Sequence, residues 1–97
     1  MVERRRRFAR GRIISLLTDF GEDSPYAGAM KGVILQICPK AQIVDISHAI
    51  PHFDVRYAAY VLAESAPFFP PGSIHLAVVD PGVGTERRPI VAETKHY

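Results

Sequence analysis

The chain has 97 residues and a mass of 10.8 kDa, with 47% apolar and 23% charged residues, an ordinary globular composition that excludes a collagen-like, coiled-coil or wholly disordered chain. No apolar run approaches the ~18–20 residues of a membrane-spanning helix, and one cysteine, Cys38, excludes an internal disulfide framework or a multi-thiolate zinc site. The net charge of +2 divides unevenly: residues 1–12 carry six arginines against Glu3, a balance of +5, which leaves −3 on residues 13–97.

In chain order, residues 1–12 read as a basic, disordered leader. Binding to nucleic acid or an anionic membrane is the alternative use of such a run. A single aromatic, Phe8, lies among the arginines, too few for a stacking platform, and the body offers no recognition motif, so neither nucleic acid nor membrane is expected as a partner. No apolar segment follows to make a secretory signal. With the lone thiol, this points to a cytoplasmic location.

Ile13–Thr18 (IISLLT) is a short, nearly unbroken apolar run, as expected of a strand covered on both faces. Pro25–Ile37 places Tyr26, Met30, Val33, Ile34 and Ile37 at helical spacing. Ser24 suits the N-cap, Pro25 the first helical position, and Pro39 stops the helix. Residues 42–46 (QIVDI) form a second strand. Asp54 caps a second helix with Val55, Ala58, Ala59 and Leu62 on one stripe and Pro67 closing it. Pro70, Pro71 and Gly72 make a turn, residues 73–79 a third strand, and residues 89–93 the start of a fourth.

Alternating strands and helices predict parallel strands joined by right-handed crossovers. The fold class is α/β: a mostly parallel sheet with helices on its faces. Three strands and two helices make half of such a sheet. Residues 13–97 are therefore expected to be a partial α/β domain, with the last strand needing cover.

Ligands of open parallel sheets bind beyond the carboxyl ends of the strands. Three polar segments fall there: residues 18–21 (TDFG), 45–48 (DISH) and 80–88 (DPGVGTERR). Asp19 and Asp80 are brought near each other although 61 positions separate them. Either could accept hydrogen bonds from a ribose diol, or could simply cap a turn. Arg87 could hold Asp80 ionised or could be an exposed loop charge. Gly82 and Gly84 match no phosphate-binding pattern. The kinase-like DFG lacks every other kinase segment. The histidines show no metal-ligand spacing. His75 reads as a sheet residue and Cys38 as a small core hydrophobe. Phe53 either stacks on a ligand ring or staples the start of the second helix.

Four blocks in fixed order carry a resemblance: LLTDFG at 16–21, YAGAMKGVI at 26–34, ICPKAQIVDISHAIPHFDVRYAAYVL at 37–62 and FFPPGSIHLAVVDPGVGTERRPI at 68–90. They resemble the N-terminal domain of the S-adenosyl-L-methionine (SAM) hydroxide adenosyltransferases, relatives of the SAM-dependent fluorinase and chlorinase. The resemblance implies SAM hydrolysis: water attacks C5′ of SAM and releases methionine and adenosine. It implies SAM as substrate with no cofactor and no metal, and a homotrimer with sites between subunits. It assigns Asp19 to the ribose hydroxyls, Phe53 to the SAM pocket, and Asp80 with Arg87 to the attacking water. The halogenating relatives have other residues at the position of Asp80, which favours water over halide. The family's catalytic histidine and small C-terminal domain match nothing here. The 97-residue chain alone is thus expected to be a truncated, inactive form. A non-catalytic adenosine- or SAM-binding fragment and a halogenase relative are the alternatives.

Overall fold

The structure, a computed structural model, describes residues 12–79. They form β1 (Ile13–Thr18), α1 (Pro25–Ile37), β2 (Gln42–Ser47), α2 (Val55–Ser65), a 3-10 turn (Ala66–Phe68) and β3 (Ile74–Val78). Elements and order agree with the pattern read from the sequence. The fourth strand expected at 89–93 and the leader at 1–12, save Arg12, lie outside the described residues.

Local chemistry sets the helix ends. The Ser24 side chain accepts from the Tyr26 N–H at 3.1 Å, and Pro25 opens α1 where its missing N–H is no loss. At the other end the Cys38 N–H donates to the Ile34 carbonyl at 2.7 Å, and Pro39 cannot continue the helix. Asp54 caps α2 by accepting from the Tyr57 N–H at 3.0 Å. Pro67 sits inside the 3-10 turn that tightens the end of α2.

The sheet order is β2-β1-β3, with both pairs parallel. The central strand is flanked on both edges and covered on both faces, so residues 15–18 are buried. This is the physical reason for the unbroken run in IISLLT. A bulge in β2 shifts the register between Leu16, opposite Asp45, and Leu17, opposite Ser47.

Successive strand residues point to opposite faces, and Leu17 and Thr18 show what each face holds. Leu17 joins Ile50 and Ala58 in the core, with Ile46, Val61, Leu62 and Val79 packed around them. Thr18 instead enters a polar chain that ends at Lys31 of α1. The two helices therefore lie on opposite faces, as a doubly wound sheet requires.

Two expectations about packing are corrected. The apolar stripe of α1 is covered only in part: Met30 and Ile34 are half-buried, while Tyr26 is 68% and Ile37 81% exposed. A stripe reports a face that can be covered, and the described residues cover only its middle. Cys38 is half-buried at the C-cap of α1 rather than a core hydrophobe: it follows Ile37, 81% exposed, at the outer end of the helix.

Candidate functional site

The chain leaves β1 toward β2 on one side and returns to β3 on the other. The crevice at the carboxyl ends of β1 and β3 is thus the topological switch point, where doubly wound sheets bind ligands. Asp19 follows β1 at this point. Its N–H donates to the Val78 carbonyl of β3 at 3.3 Å. Val79 packs against the Leu17 core, so the chain enters residues 80 onward from the end of the sheet that holds Asp19. Asp80 and Arg87 lie outside the described residues.

Asp19 is only 8% exposed. Its Oδ2 accepts from the Phe53 N–H at 2.9 Å and lies 3.7 Å from His52 Nδ1. Oδ1 has no protein partner among the described residues. A buried carboxylate with one oxygen anchored and the other open can receive a hydroxyl pair or a single hydroxyl donor. Asp19 also does what the plainer reading expects, since it ties the β2–α2 loop to the end of β1.

Phe53 meets Asp19 through its main chain. Its φ is 63°, a left-handed conformation that is uncommon outside glycine, asparagine and aspartate, and the bond to Asp19 helps to hold it. The ring is 49% exposed, with its centroid 5.5 Å from that of the exposed His52. It stands at the rim beside Asp19, open on the solvent side. Phe53 directly precedes the Asp54 cap of α2, which is also the position of a hydrophobic staple.

His48, set aside as lacking ligand spacing, is the residue sequence reasoning missed. It is 5% exposed. Its Nδ1 lies 2.7 Å from Thr18 Oγ1 and its Nε2 2.8 Å from Asp45 Oδ1. Lys31 Nζ donates to Asp45 Oδ2 at 2.6 Å. Burial acts to raise the Asp45 carboxyl, but hydrogen bonds from Lys31 and His48, aided by their charges, outweigh it and hold the group below its ordinary value. The available signal was the i,i+3 spacing of Asp45, near the end of β2, and His48, just past it, which lets the two side chains meet. Gly21 closes this region with φ +94°, and its N–H donates to the His48 carbonyl at 2.8 Å. A side chain there would meet no neighbour, so the dihedral alone demands glycine.

His75 lies in β3 as read, with Nδ1 2.6 Å from Ser15 Oγ across the sheet. Burial lowers its pKa. Among the described residues no group of His, Cys, Asp or Glu could hold a metal ion. No described helix is long and apolar enough to cross a membrane.

A family model described as the SAM hydroxide adenosyltransferase N-terminal domain matches residues 14–97. The chain belongs to this family. A relative from Methanocaldococcus jannaschii, named (R)-S-adenosyl-L-methionine hydrolase, is 55% identical over 87 residues, which cover 86% of this chain and 33% of the relative. A fluorinase from an Actinoplanes species is 31% identical over 83 residues, covering 86% of this chain and 28% of that protein. The crystal structure of an uncharacterized conserved protein from Thermotoga maritima superposes with a TM-score of 0.82 at 48% identity, over 86% of this chain and 32% of that one. The chain thus spans about a third of the length of the relatives it matches. Within the family domain, the carboxylate at the switch point is Asp19 of TDFG.

Proposed function

We propose that the intact protein carrying this chain hydrolyses SAM to adenosine and methionine. The observation that carries the reading is the graded similarity: 55% identity to a protein named as a hydrolase against 31% to a fluorinase. Asp80, which the resemblance associates with water rather than halide, agrees with it. The relatives' names specify the (R) form, and the proposal takes that form as substrate.

The chemistry is coherent. The sulfonium is already a good leaving group, so methionine needs no acid to depart. The protein has to align water behind C5′ and separate it from bulk solvent. The water oxygen bonds to C5′, the C5′–S bond breaks with its electron pair going to sulfur, and the water gives up one proton. Asp80 is assigned to receive that proton and Arg87 to orient Asp80. Asp19 is assigned to the ribose hydroxyls, and its burial, with one oxygen unpartnered among the described residues, supports this. Phe53 is assigned to the pocket wall. SAM enters as substrate, with no cofactor. A homotrimer in the cytoplasm belongs to the same reading.

The test is incubation of the intact protein with SAM, followed by chromatography. Equal amounts of adenosine and methionine are expected, with (R)-enriched SAM consumed faster than the (S) form. A halide-dependent nucleoside product without adenosine would overturn the assignment to water.

A further inference from the structure

Thr18, His48, Asp45 and Lys31 come from the end of β1, the loop after β2, β2 itself and α1, yet they form one continuous hydrogen-bonded chain. Its inner end meets the loop that carries Asp19. Thr18 Oγ1 accepts from the Phe20 N–H at 3.2 Å, which closes a turn around Asp19. The main chain of His48 grips the same loop twice: its N–H donates to Glu22 Oε1 at 3.3 Å and its carbonyl accepts from Gly21 at 2.8 Å.

One proton arrangement leaves no donor of the chain without an acceptor. The Thr18 O–H has no other acceptor among the described residues, so it donates to His48 Nδ1. The imidazole proton then sits on Nε2 and is donated to Asp45. A carboxylate that accepts the far ring N–H is the usual means of fixing a histidine tautomer. Lys31 in turn keeps Asp45 ionised. Each link orients the next, and the last one orients the turn that contains Asp19.

We infer that Thr18, His48, Asp45 and Lys31 are positioning residues: they set the Asp19 loop in the geometry that receives the ribose, without touching the substrate themselves. This rests on the hydrolase reading of the site. It explains why a chain of charged and polar groups runs from a solvent-exposed helix to a fully buried threonine next to the carboxylate. A ribose held equally in ground and transition states contributes uniform binding, so losing the geometry raises KM and leaves kcat nearly unchanged.

The experiment compares Thr18→Val and Thr18→Ser in the intact protein. Valine keeps the shape of the fully buried site and removes the hydroxyl. Loss of that buried hydrogen bond is expected to raise KM for SAM by about tenfold, with kcat within about threefold of wild type. The Phe20 amide should exchange faster with solvent. Thr18→Ser should restore both KM and amide protection, which a purely space-filling role would not predict. Should Thr18→Val fail to fold, Asp45→Ala at its partly exposed position decides instead. The wild-type His48 ring is expected to show the Nε2–H tautomer by nitrogen NMR, and Asp45→Ala to mix tautomers and raise KM by about threefold. Wild type that makes no adenosine overturns the hydrolase reading and this inference together. Wild-type turnover with unchanged KM in Thr18→Val and Asp45→Ala, or Thr18→Ser no better than Thr18→Val, overturns the positioning role alone.

Discussion

Leu17 and Thr18 are neighbours in sequence, and both are essentially inaccessible to solvent, yet they serve opposite faces of the sheet with opposite chemistry. The Leu17 face is joined to α2 by apolar packing through Ala58, Val61 and Leu62. The Thr18 face, which also buries Leu16, is joined to α1 by a polar chain ending at a half-exposed ion pair. Apolar burial is strong and non-directional, so the Leu17 face supplies cohesion. Hydrogen bonds are modest in net energy but strict in geometry, so the Thr18 face supplies placement. The carboxylate at the switch point follows directly after both.

The largest effect should come from breaking the cohesive face. Leu17→Ala is expected to destabilise the fold by about 3 kcal/mol, the usual cost of a large-to-small change at a fully buried leucine. Urea denaturation would measure it, and a loss under about 1 kcal/mol would mean that Leu17 is not central to the core. A smaller effect is expected from the start of the helix on that face. Asp54→Ala removes the N-cap bond to Tyr57 and should cost about 1 kcal/mol in the same assay. Ser24→Ala at the start of α1 offers the matching comparison on the other face.

The smallest effects are those of pH, and they separate the two faces by where acid acts. His75 bonds to Ser15, which lies on the Leu17 face, and burial places its folded-state pKa below the ordinary 6.5. The unfolded chain then binds more protons, so stability contributed by neutral His75 is present above about 6.5 and declines as pH falls from there. The folded-state pKa of Asp45 lies below the ordinary 3.8, so its contribution is present above about 3.8 and is lost as pH falls below that value. Denaturation midpoints followed from pH 8 to pH 3 should decline first through His75 and only later through Asp45. Lys31→Met should move the Asp45 carboxyl titration, followed by NMR, back toward its ordinary value. Its effect on stability at neutral pH should be small, because the pair is substantially exposed.

Much of this was legible in particular residues. Ser24 with Pro25, and Asp54 ahead of an amphipathic run, marked where helices begin, because capping is a contact within one turn. Asp19 was legible because a polar segment after a buried parallel strand lies at the ligand-binding edge. His48 was not legible in the same way. Its partners Thr18 and Lys31 belong to other elements, and no periodicity encodes which side chains of separate elements will meet. The α1 stripe was legible only in part for a related reason: spacing shows that a face could be buried, and packing decides that Met30 and Ile34 are half-covered while Tyr26 and Ile37 are not.

The sequence alone determined the element order, the caps and the double-sided burial of β1, since each follows from chain-local hydrogen bonding or the polarity of one strand. Tertiary structure decided the strand order β2-β1-β3, the left-handed backbone of Phe53 beneath Asp19, and the joining of Thr18, His48, Asp45 and Lys31. These depend on contacts between residues far apart in the chain, whose geometry is set only when the strands have taken their register and the helices their faces.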